Sequence, residues 1–177
     1  MIEITWLGHA TFQLRLESGE VILMDPWVEG NPKFPAGHQF QRVDALLISH
    51  PHQDHIHGCI ELSKKFKPKV IALFETALWL GSKGVENLSG MGKGGTQEVV
   101  AGVKATMTHA VHSAGIMDGN QVIYGGEPAG YVLTFPDGRS AATTPQRPGA
   151  RKSLLIPMPK AVAPMRRAWD QSARTAP

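Results

Sequence analysis

Asp44-Ala-Leu-Leu-Ile-Ser-His50-Pro-His-Gln-Asp-His55-Ile-His57 is the stretch on which the reading of this chain turns. Its first half, Asp44 to Ser49, is a nearly continuous apolar run, the pattern of a strand buried on both faces. Its second half gathers four of the chain's eight histidines. Side chains alternate with period two at the end of an extended segment, so His50 and His52 point to the same side and can meet one cation. Asp54 and His55 follow at the turn into a helix, where a second cation has room. Imidazole and carboxylate together suit Zn²⁺, with Mn²⁺ or Fe²⁺ as alternatives. Two such ions about 3.5 to 4 Å apart bridge and activate a water while polarising a scissile bond. The chemistry implied is hydrolysis. His57 lies outside the spacing and reads as an outer partner or a solvent-facing residue.

Upstream, Ile2 to Leu7, Thr11 to Leu16 and Val21 to Met24 alternate or are β-branched, with a turn at Gly19-Glu20, which predicts an antiparallel meander. Asp25-Pro26 stops its third strand, and Gly30 to Gly37, with Pro32 and Pro35, is a turn-rich loop long enough to overhang a site. Downstream, Ile56 to Phe66 fits a helix, Lys69 to Phe74 a strand, and Glu75 to Leu80 a second helix ending near Gly81. Met91-Gly-Lys-Gly-Gly is a turn before a strand through Val99 to Met107, and Gly130 to Phe135 is the final clear strand. The fold class is α/β with a mixed or antiparallel sheet.

With 177 residues the chain is long enough for one domain. Hydrophobic residues make up 42% and charged residues 19%, which excludes the fibrous and disordered classes. No apolar run approaches the roughly 18 residues that span a bilayer. No basic region precedes an apolar stretch at the start, so no signal peptide is expected. The single cysteine, Cys59, fits a reducing compartment, and the expected location is cytoplasmic.

The net charge of +3 is unevenly spread. Met1 to Arg139 holds 11 Lys and Arg against 14 Asp and Glu, whereas Ser140 to Pro177 holds 7 against 1. The body is acidic and offers no surface that would track phosphates, so nucleic acid is a disfavoured partner. The basic segment also carries six of the 13 prolines and no sustained periodicity. The division expected is a domain over 1–139 and a poorly ordered basic tail over 140–177.

His50-Pro-His-Gln-Asp-His55 resembles the His-X-His-X-Asp-His motif of the metallo-β-lactamase superfamily, whose members share a four-layer αββα sandwich with a one- or two-metal site. The likeness extends to Trp6-Leu-Gly-His-Ala-Thr-Phe, Leu23-Met-Asp-Pro, Met91-Gly-Lys-Gly-Gly-Thr, His109-Ala-Val-His112-Ser and Tyr124-Gly-Gly-Glu-Pro-Ala-Gly-Tyr. These segments resemble the metal-dependent hydrolase branch related to ascorbate-phosphate lactonase. The resemblance implies that His50, His52 and His112 hold a first metal and that Asp54 and His55 belong to a second. Asp54 would also orient the attacking hydroxide, which makes it the candidate catalytic residue. His109 is the alternative third ligand. His9 is placed near the site or read as a structural histidine, and Asp25 as a turn cap or a partner of a ligating histidine.

The resemblance covers residues 1 to about 139 and then ceases. The family continues with a Gly-Asp-Thr-like segment that supplies a bridging aspartate, and later with another strand-end histidine. After His112 this sequence has no histidine, and beyond Asp137 its only acidic residue is Asp170. The composition therefore reads as a sandwich truncated in its second half, with an out-of-frame or foreign end. Such a sandwich exposes apolar sheet surface, which predicts low solubility or partner-dependent folding.

The leading function is a metal-dependent hydrolase with one or two divalent ions, acting through metal-activated hydroxide on an ester, lactone, amide or phosphoester bond of a small molecule. Self-association is left open. A catalytically silent metal-binding remnant and a metal-dependent RNA phosphodiesterase are the alternatives. Lys93, in the glycine-rich turn, is read as a surface residue or as a ligand for an anionic substrate group. Gly125-Gly126 lacks phosphate-loop spacing and reads as a turn.

Overall fold

The computed structural model describes residues 2–143 and the backbone of Ile156–Met158. The antiparallel meander expected from the alternation is present as β1 (Glu3–Trp6), β2 (Phe12–Arg15) and β3 (Val21–Met24). β4 (Ala45–Leu47) pairs with β3 in parallel, Met24 opposite Leu47. α1 (Gln53–Ile56) and α2 (Cys59–Phe66) lead to β5 (Lys69–Leu73), and α3 (Phe74–Ser82) leads to β6 (Leu88–Met91). These six strands form one mixed sheet in chain order, parallel from β3 to β6.

β7 (Thr96–Val100) and β8 (Val103–His109) open a second sheet. A separate two-stranded ribbon of β9 (Gly115–Asp118) and β10 (Gln121–Tyr124) follows, then β11 (Ala129–Thr134), β12 (Ser140–Thr143) and β13 (Ile156–Met158). The second sheet is antiparallel, in the order β13-β12-β11-β8-β7.

Alternation on the parallel strands explains the layering. Ile22, Met24, Leu47 and Ile71 face one way and meet Ala105, Met107, Tyr131 and Leu133 of the second sheet. Leu23, Leu46, Ile48 and Val70 face the other way and meet Cys59, Leu62, Ala77 and Leu80 of the helices. The result is helix, sheet, sheet: the metallo-β-lactamase-like α/β architecture, with helices on the outer face of the first sheet. No helix covers the outer face of the second sheet among the described residues. No helix of the described residues is long and apolar enough to cross a membrane.

Several elements depart from the sequence reading. The strand expected through Val99 to Met107 is a hairpin, because Ala101 (φ 47°) and Gly102 (φ 76°) both take the positive φ of a two-residue turn matched to strand twist. The helix expected from Ile56 starts at Cys59, because the Gly58 amide donates to the Pro26 carbonyl at 2.7 Å and interrupts the turn. A side chain at Gly58 would sit 2.8 Å from that carbonyl oxygen, so a close backbone approach requires glycine there. β6, β9 and β10 were not anticipated, although Asp118-Gly119 between two short apolar runs is a hairpin signal. The sheet also continues past Phe135, since β12 pairs with β11 through Thr143. Apart from β12 and the β13 backbone, the tail expected to be poorly ordered lies outside the described residues.

Tyr131 fastens the two sheets together where the site begins. Its fully buried hydroxyl donates to the Ile48 carbonyl at 2.9 Å, with the Ile71 carbonyl at 3.3 Å. Burial pushes ionisation of the phenol well above its ordinary range. Replacing it with Phe removes the donor but keeps the ring. Tyr131→Phe is expected to lose about 1 to 2 kcal/mol in urea unfolding, the cost of stranding a buried acceptor; an unchanged midpoint would show that the bond contributes nothing.

Candidate metal centre

The topology places four chain segments at one edge of the first sheet. β1, β3 and β4 run in the same direction, so the turn after β1, Asp25 after β3 and His50 after β4 emerge together. The second sheet adds His112, just beyond β8, and the Ala129 amide at the start of β11 donates to the Ser49 carbonyl at 2.9 Å.

Two groups of donors form there. In the first, His50, His52 and His112 offer ligand atoms that all lie within 4.8 Å of one another. His50 Nε2 is 3.0 Å from His52 Nδ1, and the His50 and His112 ring centroids are 4.6 Å apart. In the second, His9, Asp54 and His55 meet the same limit. His9 Nε2 is 3.2 Å from His55 Nε2 and 3.1 Å from Asp54 Oδ2. The two groups adjoin, with the His50 and His55 rings 4.0 Å between centroids.

Of the residues singled out in the sequence, the structure brings His50, His52 and His112 together in the first group and Asp54 and His55 together in the second. The structure adds His9, which the sequence left between a site residue and a structural one. Its Gly8-His9 turn has φ of 97° and 48°, and the meander topology brings that turn to the edge where β4 ends. That topology was the signal available for His9. His109 joins neither group; its Nδ1 faces the Lys93 ammonium at 3.2 Å. His57 is exposed and also stands outside both groups.

A single buried carboxylate orients one histidine of each group. Asp25 accepts from the Ser49 amide and the Ser49 hydroxyl, both at 2.7 Å, and from His55 Nδ1 at 2.9 Å. With Nδ1–H committed to Asp25, His55 presents Nε2 toward His9 and Asp54. The Ser49 proton is committed to Asp25 too, so Ser49 Oγ accepts from His50 Nδ1 at 3.0 Å, and His50 presents Nε2 toward His52. Of the two roles proposed for Asp25, the partner of a ligating-type histidine is the one its contacts match.

The electrostatics separate the groups. Burial, followed by the neighbouring histidines His55, His52 and His112, pushes His50 down to about 2, so its imidazole is neutral. Burial also lowers His52 and His9. For His55 burial acts downward, but the charge and hydrogen bond of Asp25 outweigh it and raise the pKa.

These donors fit divalent cations. His50 Nε2 faces His52 Nδ1 at 3.0 Å and His9 Nε2 faces His55 Nε2 at 3.2 Å, spacings at which each pair shares either a proton or a cation. A tetrahedral ion with nitrogen ligands at its usual bond length spaces them about 3.3 Å apart. A depression beside Asp54, lined by Trp27, Glu29, Gly30, Gln53 and His57, opens the second group to solvent. The 30–37 loop is held by Asn31, whose amide donates to the Leu7 and Trp27 carbonyls at 3.2 and 3.0 Å, and Trp27 packs edge-on against His9 at 5.3 Å.

Comparison with known proteins agrees with this architecture. Residues 3–153 match the family described as Beta-lactamase superfamily domain, and the chain belongs to the metallo-β-lactamase superfamily. It is 59% identical over 138 residues to a UPF0173 metal-dependent hydrolase of Solibacter usitatus, an alignment that covers 78% of this chain and 60% of that protein. It is 53% identical over 135 residues to a UPF0173 metal-dependent hydrolase of Koribacter versatilis, covering 76% of this chain and 58% of the relative. The chain therefore spans about three fifths of the length of the curated relatives it matches. Among solved structures, Igni18, a metallo hydrolase from Ignicoccus hospitalis, superposes with a TM-score of 0.65 at 26% identity, covering 78% of this chain and 57% of Igni18.

Asp25→Asn keeps the volume of the side chain but puts an amide where two donors need an acceptor. The substitution is expected to weaken divalent-metal affinity by roughly 10- to 100-fold, as loss of such supporting partners does. Competition with a chelating dye measures this; an affinity equal to that of the parent would show that Asp25 does not orient the donors.

Proposed function

We propose that this chain is a metal-dependent hydrolase whose ions are held by His50, His52 and His112 on one side and His9, Asp54 and His55 on the other. The observation that carries this reading is the pair of adjoining donor triads, one histidine of each oriented through the same buried carboxylate. The relatives from Solibacter usitatus and Koribacter versatilis, both named metal-dependent hydrolases, support it. Zn²⁺ suits the imidazole-rich first group best, with Mn²⁺ or Fe²⁺ as alternatives. When bound, such ions supply Lewis acidity and a water acidified toward neutral pH.

The chain's own residues supply the rest. The Asp54 side chain is 42% exposed and borders the open depression, so substrate and water reach Oδ2 from that side. Asp54 Oδ2 accepts a proton from the attacking water and fixes its direction. Trp27 forms one wall of the depression. The bond cleaved is an ester, lactone, amide or phosphoester, since all four share an electrophilic centre open to this attack.

A second reading, a metal-binding protein without turnover, draws on one specific feature. Neither group of the described residues contains a carboxylate common to both. In that case ions are retained and no substrate is cleaved.

Metal content per chain, on protein purified without added metal, tests both readings. The parent is expected to hold close to two equivalents, His52→Ala close to one, and His109→Ala the parental amount. Turnover on a panel of esters, lactones and phosphodiesters separates enzyme from silent binder. A parent that holds no metal above background sinks both.

A further inference from the structure

Lys93 lies in the turn after β6 and is mostly covered, with a side-chain exposure of 21%. Its ammonium forms an ion pair with Glu127 and donates toward Nδ1 of His109 at 3.2 Å. Two backbone amides of its turn are used within the fold, Gly94 donating to the Met107 carbonyl and Gly95 to the Gly92 carbonyl. The ammonium is the charged group that this turn offers a ligand.

The position of this group bears on the site. Glu127 follows Gly125 by two residues, and a Cβ at Gly125 would lie 2.6 Å from Pro51, the residue between His50 and His52. His109 precedes His112 by three residues on the same chain segment. Two or three residues of extended chain reach about 7 to 10 Å, so the ammonium stands within a small molecule's length of the first donor group. The partners of Lys93 are unequal. Lys93 is held in place, whereas the Glu127 side chain is 65% exposed and free to turn into solvent.

We infer that Lys93 is a specificity-determining residue that binds the acid group, carboxylate or phosphate, of an anionic substrate, and that Glu127 occupies this place until the substrate displaces it. The inference rests on the hydrolase reading for the reaction but not for the binding. A fixed ammonium is a point charge that accepts either kind of anion without demanding a bidentate geometry. Glu127 keeps Lys93 neutralised in the free protein; an incoming anion takes its place at the ammonium and the displaced carboxylate turns into solvent, where its charge is screened. An exposed ion pair is weak enough to be opened by a ligand that gains other contacts.

The test uses the full chain stripped of metal, titrated with inorganic phosphate and, separately, with acetate, while the His109 ring resonances are followed by NMR. A saturable shift is expected in the parent. Lys93→Met should abolish it, and Lys93→Arg should restore it. Glu127→Gln should tighten binding by about two- to fivefold, because it removes an internal competitor of surface ion-pair strength. Saturation by both anions assigns any compact acid group; saturation by phosphate alone assigns phosphate. A shift that persists in Lys93→Met, or an affinity that is unchanged or weaker in Glu127→Gln, overturns the inference. Because no metal or turnover enters these readouts, loss of the hydrolase reading and loss of this one are separable.

Discussion

Everything at the candidate centre depends on a carboxylate that touches no substrate. Asp25 is 4% exposed and sits at φ 44°, a backbone conformation that an L-residue adopts at some cost. Its surroundings hold it there: its amide donates to the Leu47 carbonyl at 3.0 Å, and its carbonyl accepts from the Thr11 hydroxyl at 2.8 Å. That backbone position turns the side chain back toward the end of β4, where it accepts from Ser49 and His55. A buried carboxylate is costly unless its oxygens are filled, and three donors at 2.7 to 2.9 Å fill them. The same three bonds decide which nitrogen of His50 and His55 faces the cavity. Solvation of Asp25 and orientation of the donors are one arrangement.

The sheet order makes this arrangement reachable. Parallel pairing of β3 with β4 aligns the ends of two strands, so Asp25 and Ser49, separated by 24 residues, become neighbours without any long connection spanning the sheet. The β1–β2 turn shares that edge by the parity of the meander, which delivers His9. Tyr131 then fixes the second sheet against the carbonyls of Ile48 and Ile71, and with it the segment that carries His112. A rigid β edge holds short side chains more tightly than a loop alone does, as donors for a cation require.

Much of this was legible in the sequence because the decisive signals are local. The apolar run before His50 and the period-two placement of His52 need no knowledge of distant residues, and the meander and the strand-helix-strand unit follow from alternation and punctuation. What escaped was non-local or finely balanced. His9 belongs with Asp54 and His55 only once three strands are stacked in order. The break between α1 and α2 depends on Gly58 meeting Pro26, a contact between residues 32 positions apart. The Ala101-Gly102 turn was hidden inside a run of β-formers, since Ala carries little turn signal and takes φ 47° here only because the hairpin imposes it. His112 could be preferred to His109 only by likeness; the structure separates them physically, giving one to Lys93 and the other to the imidazole group.

The packing of the donors has a thermodynamic consequence. Folding buries His50 as a neutral ring beside three other imidazoles, with its inward Nε2 paired to His52 Nδ1 at 3.0 Å. A cation that binds these assembled donors, and not the unfolded chain, adds its binding free energy to stability, so that ion binding and folding reinforce one another. The donors stand at the rim of the sheet, and the apolar layers beneath them, from Leu47 and Ile71 to Met107 and Leu133, pack without using them. That separation lets one edge of the sandwich carry a cluster of polar side chains while the apolar layers supply the packing.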